Sequence, residues 1–387
     1  MKTQGYKSFL RYYYLSSFFF DFVFAYAIYN VLFNIRGLSV LQISFLLAFW
    51  ALAASLFEIP TGGLADSWSR KKMLVIAPVI KSFCFVIWVF AGSNFYIYAL
   101  GFVFWGLSSA LVSGTTQALL FDELVQFGKK DEYAKILGKR DFYFYLSIAF
   151  SAIIGGVLAN YDLNWALLFS VIPLFLSSFF AMLIKESPRV KSTNEIKYLQ
   201  YIKVAYEEVK GSRILLYLFL YSLGISIFWN LEEFDQLYYK LTGLPIFWFG
   251  VVGFIWAIFK ATGSFYAHKF KKYSAISYLI PFVCFLLLLV VGLFPSIPMI
   301  GVLLVSYLII SPLYILVEAK IQNNIKSISR ATVTSINKFV LNFFGIFVVL
   351  ASGVISKIWN LQAIYISAAL FLLVFSVWTV FRRKIFE

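Results

Sequence analysis

Long apolar runs recur along almost the whole chain, and they constrain its fold more than any other feature. Each of the twelve runs is long enough to cross the roughly 30 Å hydrocarbon core of a bilayer as a helix. They lie at residues 9–33, 40–60, 73–92, 94–121, 142–160, 163–184, 214–237, 245–267, 275–294, 297–318, 333–356 and 360–381. Hydrophobic residues make up 61% of the 387 residues, a share that excludes an ordinary soluble enzyme and a disordered chain. The sequence predicts an all-α integral membrane protein with twelve transmembrane helices.

Basic residues are concentrated on one side of the predicted membrane. The chain carries 33 Lys and Arg against 18 Asp and Glu, for a formal net charge of +15. Only Arg36, Lys240 and Lys357 fall on the opposite set of loops. By the positive-inside rule, the base-rich loops and both termini are cytoplasmic. The basic excess is therefore assigned to membrane orientation, and we expect no nucleic-acid partner.

Histidine and cysteine are scarce. A single histidine, His268, lies at a predicted helix end, and Cys84 and Cys284 lie within apolar runs. Such a composition offers few ligands for a metal and few groups for a nucleophile and base pair. We therefore expect no catalytic residues, no metal site and no cofactor, and a protein that is not an enzyme.

The longest polar break divides the spans six and six. Its second half has apolar residues at helical spacing, which suits a linker that leads into an amphipathic cytoplasmic helix. A glycine followed by a basic cluster comes after the second span, at Gly62, and again after the eighth, at Gly263, which favours two repeats. The predicted domains are a six-helix bundle at 1–184, a cytoplasmic linker at 185–212 and a second six-helix bundle at 213–387.

The loop after the second span carries a motif. Residues 62–72 read Gly-Gly-Leu-Ala-Asp-Ser-Trp-Ser-Arg-Lys-Lys, which resembles the G-x-L-a-D-r-x-G-r-k-k loop signature of the major facilitator superfamily. Ser67 and Ser69 depart from the pattern, because arginine and glycine are usual there. The twelve spans and the central linker extend the resemblance over the full chain. The resemblance implies a fold of two six-helix pseudo-repeats and transport without a cofactor.

The resemblance also implies a gate at the cytoplasmic helix ends. Asp66, four residues before Arg70, can cap backbone donors and pair with a base, and so latch two bundles. A solvated turn is the alternative for this loop, and an ordinary charged loop is the alternative for the charges that end the fourth and tenth spans. The candidate gate and loop residues are Gly62, Asp66, Arg70, Lys71, Asp122, Arg140, Glu318 and Arg330.

Ionisable side chains inside the spans are costly and are therefore candidate functional groups. Asp21 lies about 12 residues into the first span, near the midplane at 1.5 Å per residue, and shares a helical face with Tyr14 and Ser17. We predict that this face lines an aqueous cavity in which Asp21 exchanges a proton or binds substrate, with a structural, hydrogen-bonded Asp as the alternative. Glu58, near the inner end of the second span, is either a second protonatable group or part of the neighbouring latch.

Two lysines and an acidic cluster also fall within spans. Lys81 and Lys260 lie about two helical turns from the cytoplasmic ends, so snorkelling to the interface and pairing with Glu58 or another carboxylate are both open. Glu232, Glu233 and Asp235, toward the outer end of the seventh span, are candidates for an external gate. An exposed acidic rim is the alternative.

Small residues recur at every fourth position in the fifth and eighth spans. They are Ser147, Ser151, Gly155 and Ala159 in the fifth and Gly253, Ala257 and Ala261 in the eighth. This spacing is typical of closely packed membrane helices. The resemblance implies that these two helices pack together, although small residues inside a single half would produce the same stripe.

The resemblance and the membrane charges together predict a secondary active transporter in the bacterial cytoplasmic membrane. It would act as a monomer among membrane lipids and move a small organic solute by alternating access, coupled to protons or sodium ions. The loop and the short chain resemble exporters of drugs or metabolites, although Phe102 stands where such exporters have arginine. Export is the favoured direction and nutrient uptake the alternative. A transporter-like receptor or a membrane-embedded enzyme is a further alternative.

Overall fold

The computed structural model describes residues 2–67, 69–113, 115–187, 207, 209–270, 275–325 and 330–381. The helices in the first part are α1 (Lys2–Phe20), α2 (Tyr29–Ile35), α3 (Val40–Ser67), α4 (Arg70–Val89), α5 (Phe95–Val112), α6 (Thr115–Gln126), α7 (Tyr133–Tyr161), α8 (Leu163–Phe169) and α9 (Val171–Leu183), with 3₁₀ turns at Phe24–Ala27 and Lys130–Glu132. The others are α10 (Arg213–Leu241), α11 (Phe247–Phe270), α12 (Ile276–Leu293), α13 (Ile297–Asn324), α14 (Arg330–Ile358) and α15 (Gln362–Phe381).

The predicted all-helical membrane architecture is confirmed. Eleven helical stretches of the described chain are long and apolar enough to cross a membrane. The first predicted span is the twelfth crossing, and it is broken into α1, a 3₁₀ turn and α2. Large apolar side chains such as Leu56, Phe83 and Val374 are exposed on the helices. Such exposed apolar side chains are favourable in a bilayer, because they contact lipid tails that are equally apolar.

The chain forms two compact units. The first comprises residues 1–190 with 245–257, and the second comprises residues 191–244 with 258–387. The first half of α11 therefore groups with the first unit. Most of the predicted amphipathic helix of the linker, residues 188–206, lies outside the described residues. The bundle and linker limits given above stay predictions.

Short polar side chains set several helix starts. The Ser69 hydroxyl accepts the Lys72 N–H at 3.1 Å at the start of α4, and the Asn94 side chain accepts the Tyr96 N–H at 2.9 Å at the start of α5. In the second unit Ser212 accepts from the Leu215 N–H at the start of α10. Each cap satisfies a backbone donor that the helix itself leaves without a partner.

An aromatic core joins the outer ends of the helices of the first unit. Trp88 is fully buried, donates its indole N–H to the Tyr98 carbonyl at 3.1 Å and lies edge-on to Phe102, with ring centroids 4.9 Å apart. Phe33 and Trp105 pack against the same ring. Phe102 stands where the resembling exporters have arginine, and here it is an apolar packing residue that is only 1% exposed.

Helices α7 and α11 approach closely within the first unit. A Cβ added at Gly156 would lie 2.7 Å from the Phe247 carbonyl oxygen, and one added at Gly250 would meet the Ala152 carbonyl. The fifth and eighth spans therefore pack through small residues, as the resemblance implied. The contact lies one position away from the predicted stripe, because Gly155 faces the backbone of Phe24 instead.

Candidate functional site

The first span is interrupted at the residue that the sequence singled out. Helix α1 ends at Phe20, and Asp21 is the next residue, ahead of the 3₁₀ turn. Irregular backbone at membrane depth needs internal partners. Lys81 donates to the Phe20 carbonyl at 3.0 Å, and the Ala25 N–H donates to the Ser170 hydroxyl at 3.0 Å. The continuous helix predicted over 9–33 is therefore wrong, because side chains from other helices take over the bonds of the missing turn.

Lys81, Tyr26 and Asp21 form a charged cluster at this break. The Lys81 ammonium lies 3.4 Å from Asp21 Oδ1 and donates to the Tyr26 hydroxyl at 2.7 Å. The Tyr26 hydroxyl donates to Asp21 Oδ1 at 3.2 Å. The ammonium also lies 3.9 Å from the ring centroid of Phe20, a cation–π contact. Lys81 thus pairs with Asp21 rather than with Glu58.

The two charges of this pair differ in their access to water. The Lys81 side chain is 1% exposed, whereas that of Asp21 is 18% exposed. The Lys81 ammonium is stabilised by the partly negative C-terminal end of α1 and by aromatic rings, in addition to the Asp21 carboxylate. Asp21 is therefore the member of the pair with the greater access to water.

A cavity with a mixed polar and apolar wall adjoins the cluster inside the first unit. Its volume is about 200 Å³, and helices α1, α4, α5, α6, α7 and α9 contribute to its wall. Asp21 and Ser17 lie on this wall, as the sequence predicted for their shared helical face. The remaining wall combines polar side chains, including Ser16, Ser109, Thr116 and Gln117, with apolar ones such as Leu74 and Phe144.

Tyr14 and Glu58 lie away from this wall. The face of α1 that lines the cavity runs through Tyr13, Ser17 and Phe20, which leaves Tyr14 turned toward α7, with its ring centroid 5.3 Å from that of Tyr143. Glu58 is exposed and accepts a hydrogen bond from the Ser113 hydroxyl at 3.2 Å. Of the four predicted cavity residues, the described wall includes only Asp21 and Ser17.

The cytoplasmic loop residues of the first unit form a compact network. Arg70 forms an ion pair with Asp122, with Arg70 12% and Asp122 42% exposed. Gly62 lies in α3, and the side chain of Asp66 is outside the described residues. The backbone N–H of Lys71, in the first turn of α4, donates to the Glu186 carboxylate. The contact to Asp122 joins two of the predicted gate residues.

Glu186 caps α4 from a distant part of the chain. Its carboxylate accepts the backbone N–H groups of Arg70 at 3.0 Å and Lys71 at 3.3 Å, and also the hydroxyl of Ser69. A carboxylate is stabilised there by the free N–H groups and by the helix dipole. Sequence reasoning missed Glu186, since no local pattern links it to a helix that starts 116 residues earlier.

A second carboxylate, that of Glu123 in the charged set at the end of the fourth span, lies next to it. Glu123 is 2% exposed and accepts the backbone N–H of Ser187 at 2.6 Å and its hydroxyl at 2.8 Å. Glu123 and Glu186 together fasten the segment after α9 to the cytoplasmic ends of α4 and α6. The two adjacent acids thus make different contacts, because Asp122 pairs with Arg70 whereas Glu123 is buried and binds the segment after α9.

The remaining gate candidates are spread over both units. In the first unit Arg140 lies on the cavity wall and contacts Asp141 of its own helix at 3.4 Å. In the second unit Glu318 is exposed and accepts from Gln322 at 2.8 Å. Arg330 begins α14, but its side chain lies outside the described residues. The role of Glu318 and Arg330 in a cytoplasmic gate stays a prediction.

The second unit also contains an ion pair between a buried lysine and an acidic residue of its first helix. Lys260 of α11 forms an ion pair with Glu232 of α10 at 2.7 Å, and their side chains are 10% and 20% exposed. Glu233, the next residue, is half-buried. Both intramembrane lysines that the sequence singled out are therefore paired with carboxylates inside their own unit.

Asp235 lies in a buried ring of tyrosines. Its carboxylate accepts the hydroxyl of Tyr307 at 2.7 Å and that of Tyr365 at 3.0 Å, and the residue is 4% exposed. These two donors come from α13 and α15. Asp235 is therefore part of the core of the second unit and does not lie on an exposed acidic rim.

Eleven membrane-capable helices in the described chain, a broken first span and a cavity next to a buried ion pair fit a multi-pass membrane transporter. The family model of the Major Facilitator Superfamily matches residues 13–348. The chain belongs to this superfamily, which confirms the resemblance seen in the loop motif. None of the curated proteins matches the chain.

Several solved transporters share the fold. A bacterial homolog of the human lysosomal transporter Spinster aligns with a TM-score of 0.75 at 16% identity, over 100% of this chain and 97% of that one. The nucleoside transporter NupG aligns with a TM-score of 0.76 at 12% identity, over 98% of each chain. A D-xylose-proton symporter aligns with a TM-score of 0.68 at 15% identity, over 94% of this chain and 96% of that one. At these identities the similarity concerns the fold alone.

Proposed function

We propose that the protein is a proton-coupled secondary transporter that moves a small organic solute across the bacterial cytoplasmic membrane by alternating access. The observation that carries the proposal is the charged cluster of Lys81, Tyr26 and Asp21 at a break in the first span, with Asp21 on the wall of a cavity. Discontinuous helices at the membrane midplane form substrate and ion sites in many secondary transporters.

The unequal burial of the ion pair supports coupling to a proton. When Asp21 takes up a proton, the buried Lys81 ammonium loses its neutralising partner while it stays bonded to the Phe20 carbonyl. Leaving a buried charge without its partner costs about 3–5 kcal/mol. Protonation therefore destabilises the arrangement of the break and favours a different one, which is how a proton can drive a conformational change.

The same cluster favours a proton over a sodium ion. The Lys81 ammonium already occupies a cation position beside the Asp21 carboxylate, at 3.4 Å. A sodium ion at this carboxylate would face that positive charge at close range, whereas a proton removes the negative charge without adding a second cation. The D-xylose-proton symporter among the similar structures is a proton-coupled transporter with this fold.

A reconstituted system tests the coupling. Purified protein in proteoliposomes is exposed to an imposed pH gradient, and proton movement is followed with an internal pH-sensitive dye as candidate solutes are added. We expect Asp21→Asn to lower solute-dependent proton flux at least tenfold. The matched control is Asp131→Asn, which makes the same change at an exposed position. Proton flux in Asp21→Asn equal to that of the control would contradict the proposal.

Export is the direction that the loop resemblance favours, and uptake is the alternative. Everted membrane vesicles and intact cells distinguish them when each is energised in the same way. Accumulation of the solute in everted vesicles, and lower accumulation in intact cells that express the protein, is expected for an exporter. The reverse result would assign uptake and leave the coupling proposal intact.

A further inference from the structure

We propose that the cavity of the first unit takes a small organic anion, with its carboxylate or phosphate group bound by Arg140 and Tyr13. This inference rests on the proposed function, because it names the class of solute that the transporter accepts. Arg140 and Tyr13 both lie on the cavity wall, on helices α7 and α1. The sequence assigned Arg140 to a gate and gave Tyr13 no role.

Tyr13 has an unused hydroxyl. The residue is 1% exposed, and its hydroxyl has no hydrogen-bond partner within the part of the chain that the structure describes. Its ring stacks on Phe9 with the centroids 5.8 Å apart, which fixes the position of the hydroxyl. A buried hydroxyl without a partner is unfavourable, and such groups in native proteins call for an explanation. A ligand in the adjoining cavity supplies one.

Arg140 has unused donors at the same place. Its Nε is buried without a partner among the described residues, and its contact to Asp141 is long, at 3.4 Å, and directed to a side chain that is 55% exposed. Guanidinium presents several N–H donors in a planar fork that matches carboxylate and phosphate groups. The pair therefore offers a positive charge and a neutral donor to one acidic group.

The rest of the wall sets the size and polarity of the solute. Tyr13 and Asp21 are eight residues apart on the first span, or about 12 Å along a helix axis. Ser17, Ser109 and Gln117 lie on the wall and offer hydroxyl and amide groups to a hydroxylated ligand. The cavity volume is about 200 Å³, which limits the solute to a small molecule. The site fits a small hydroxylated acid with one acidic end, because Asp21 repels a second one.

Matched pairs of compounds test the charge preference. Thermal unfolding of the purified protein in detergent is measured with gluconate against sorbitol and with glycerol 3-phosphate against glycerol, at constant ionic strength. We expect at least one acid to stabilise the wild-type protein, with at least tenfold weaker binding of its neutral partner and of the acid to Arg140→Gln. The conservative Arg140→Lys keeps the charge without the fork, and we expect intermediate binding. Equal stabilisation by acids and neutral partners, or no acid that stabilises the wild type more than Arg140→Gln, would overturn the inference.

Tyr13→Phe separates a ligand contact from a structural one. We expect this variant to unfold at the same or a higher temperature without ligand, because it removes a buried hydroxyl that has no partner, and to bind the acid more weakly. The control is Tyr98→Phe, which removes a hydroxyl that donates to the Gly92 carbonyl at 2.7 Å and should lower the unfolding temperature. A lower ligand-free unfolding temperature in Tyr13→Phe would show a structural partner and refute the assignment.

The binding inference and the transporter proposal can fail separately. Arg140-dependent binding of an acid that wild-type proteoliposomes do not transport would support the binding site and refute the transport proposal. Proton-driven, Asp21-dependent transport of a neutral solute that binds equally well to Arg140→Gln would support the transporter and refute the anion site.

Discussion

Removal of the two partners of the buried ion pair should have unequal effects on stability. Asp21→Asn keeps the size and an oxygen acceptor but removes the negative charge, which leaves the Lys81 ammonium, 1% exposed, without its partner. Breaking a buried pair in this way costs about 3–5 kcal/mol of unfolding free energy. The aromatic face of Phe20 and the carbonyl at the end of α1 still hold the ammonium, so we expect a cost near the lower limit, about 3 kcal/mol.

Lys81→Met should cost less. The substitution removes the buried charge and leaves an apolar chain of similar length among Phe20 and Trp105. Asp21, at 18% exposure beside the cavity, can be solvated when its partner is lost. Lys81→Met loses the hydrogen bonds that the charged ammonium donated, each worth about 1.5–3 kcal/mol. Part of this loss is offset, because the variant no longer pays for removing an ammonium from water. We expect a net cost of about 1–2 kcal/mol.

The double variant completes the test. Once Met replaces Lys81, changing Asp21 to Asn removes no partner, so the double variant should be about as stable as Lys81→Met alone. The coupling energy then equals the cost of Asp21→Asn alone, about 3 kcal/mol. Reversible unfolding by SDS in mixed micelles gives the four free energies, with Asp131→Asn as an exposed control within about 0.5 kcal/mol of wild type. Additive costs, or a larger cost for Lys81→Met than for Asp21→Asn, would refute the reasoning on burial.

Two further substitutions test packing in each unit. Gly250→Ala would drive a Cβ into the backbone of Ala152, so we expect a loss of about 1–3 kcal/mol, whereas the same change at Gly301, which has open space, should be neutral or stabilising by up to about 1 kcal/mol; equal unfolding temperatures for the two variants would contradict the close approach. Tyr307→Phe removes a hydroxyl that donates to buried Asp235 at 2.7 Å, with an expected loss of about 1–3 kcal/mol in the same unfolding assay. Stability within 0.5 kcal/mol of wild type would show that this hydrogen bond contributes little.

Sequence periodicity was sufficient for the membrane architecture. A bilayer admits only segments that satisfy their own backbone, so a long apolar run predicts a crossing helix with few alternatives. The run at 40–60 corresponds to α3 and the run at 360–381 to α15, with ends shifted by a few residues. The loop at residues 62–72 added the superfamily, which the family model confirms over residues 13–348.

The candidate site was only partly accessible from the sequence. Asp21 and Lys81 stand out because charges within apolar runs are rare and costly. Their pairing was not evident, since residues 60 positions apart meet only when α1 and α4 pack together. Tyr14 was placed on the cavity face with Ser17, but that face of α1 runs through Tyr13, Ser17 and Phe20 and leaves Tyr14 against Tyr143 of α7.

The sequence by itself determined the number of crossings, their apolar surfaces and the positions where charge enters the membrane. Those properties depend on local composition and on the transfer of each segment from water to lipid. Tertiary structure alone decided the break at Asp21, the lysine that fills it, the Glu186 cap on α4 and the place of Arg140 on a cavity wall. Each of these depends on a hydrogen bond or a charge contact between distant segments, and such contacts have short range, so they exist only once the helices are packed.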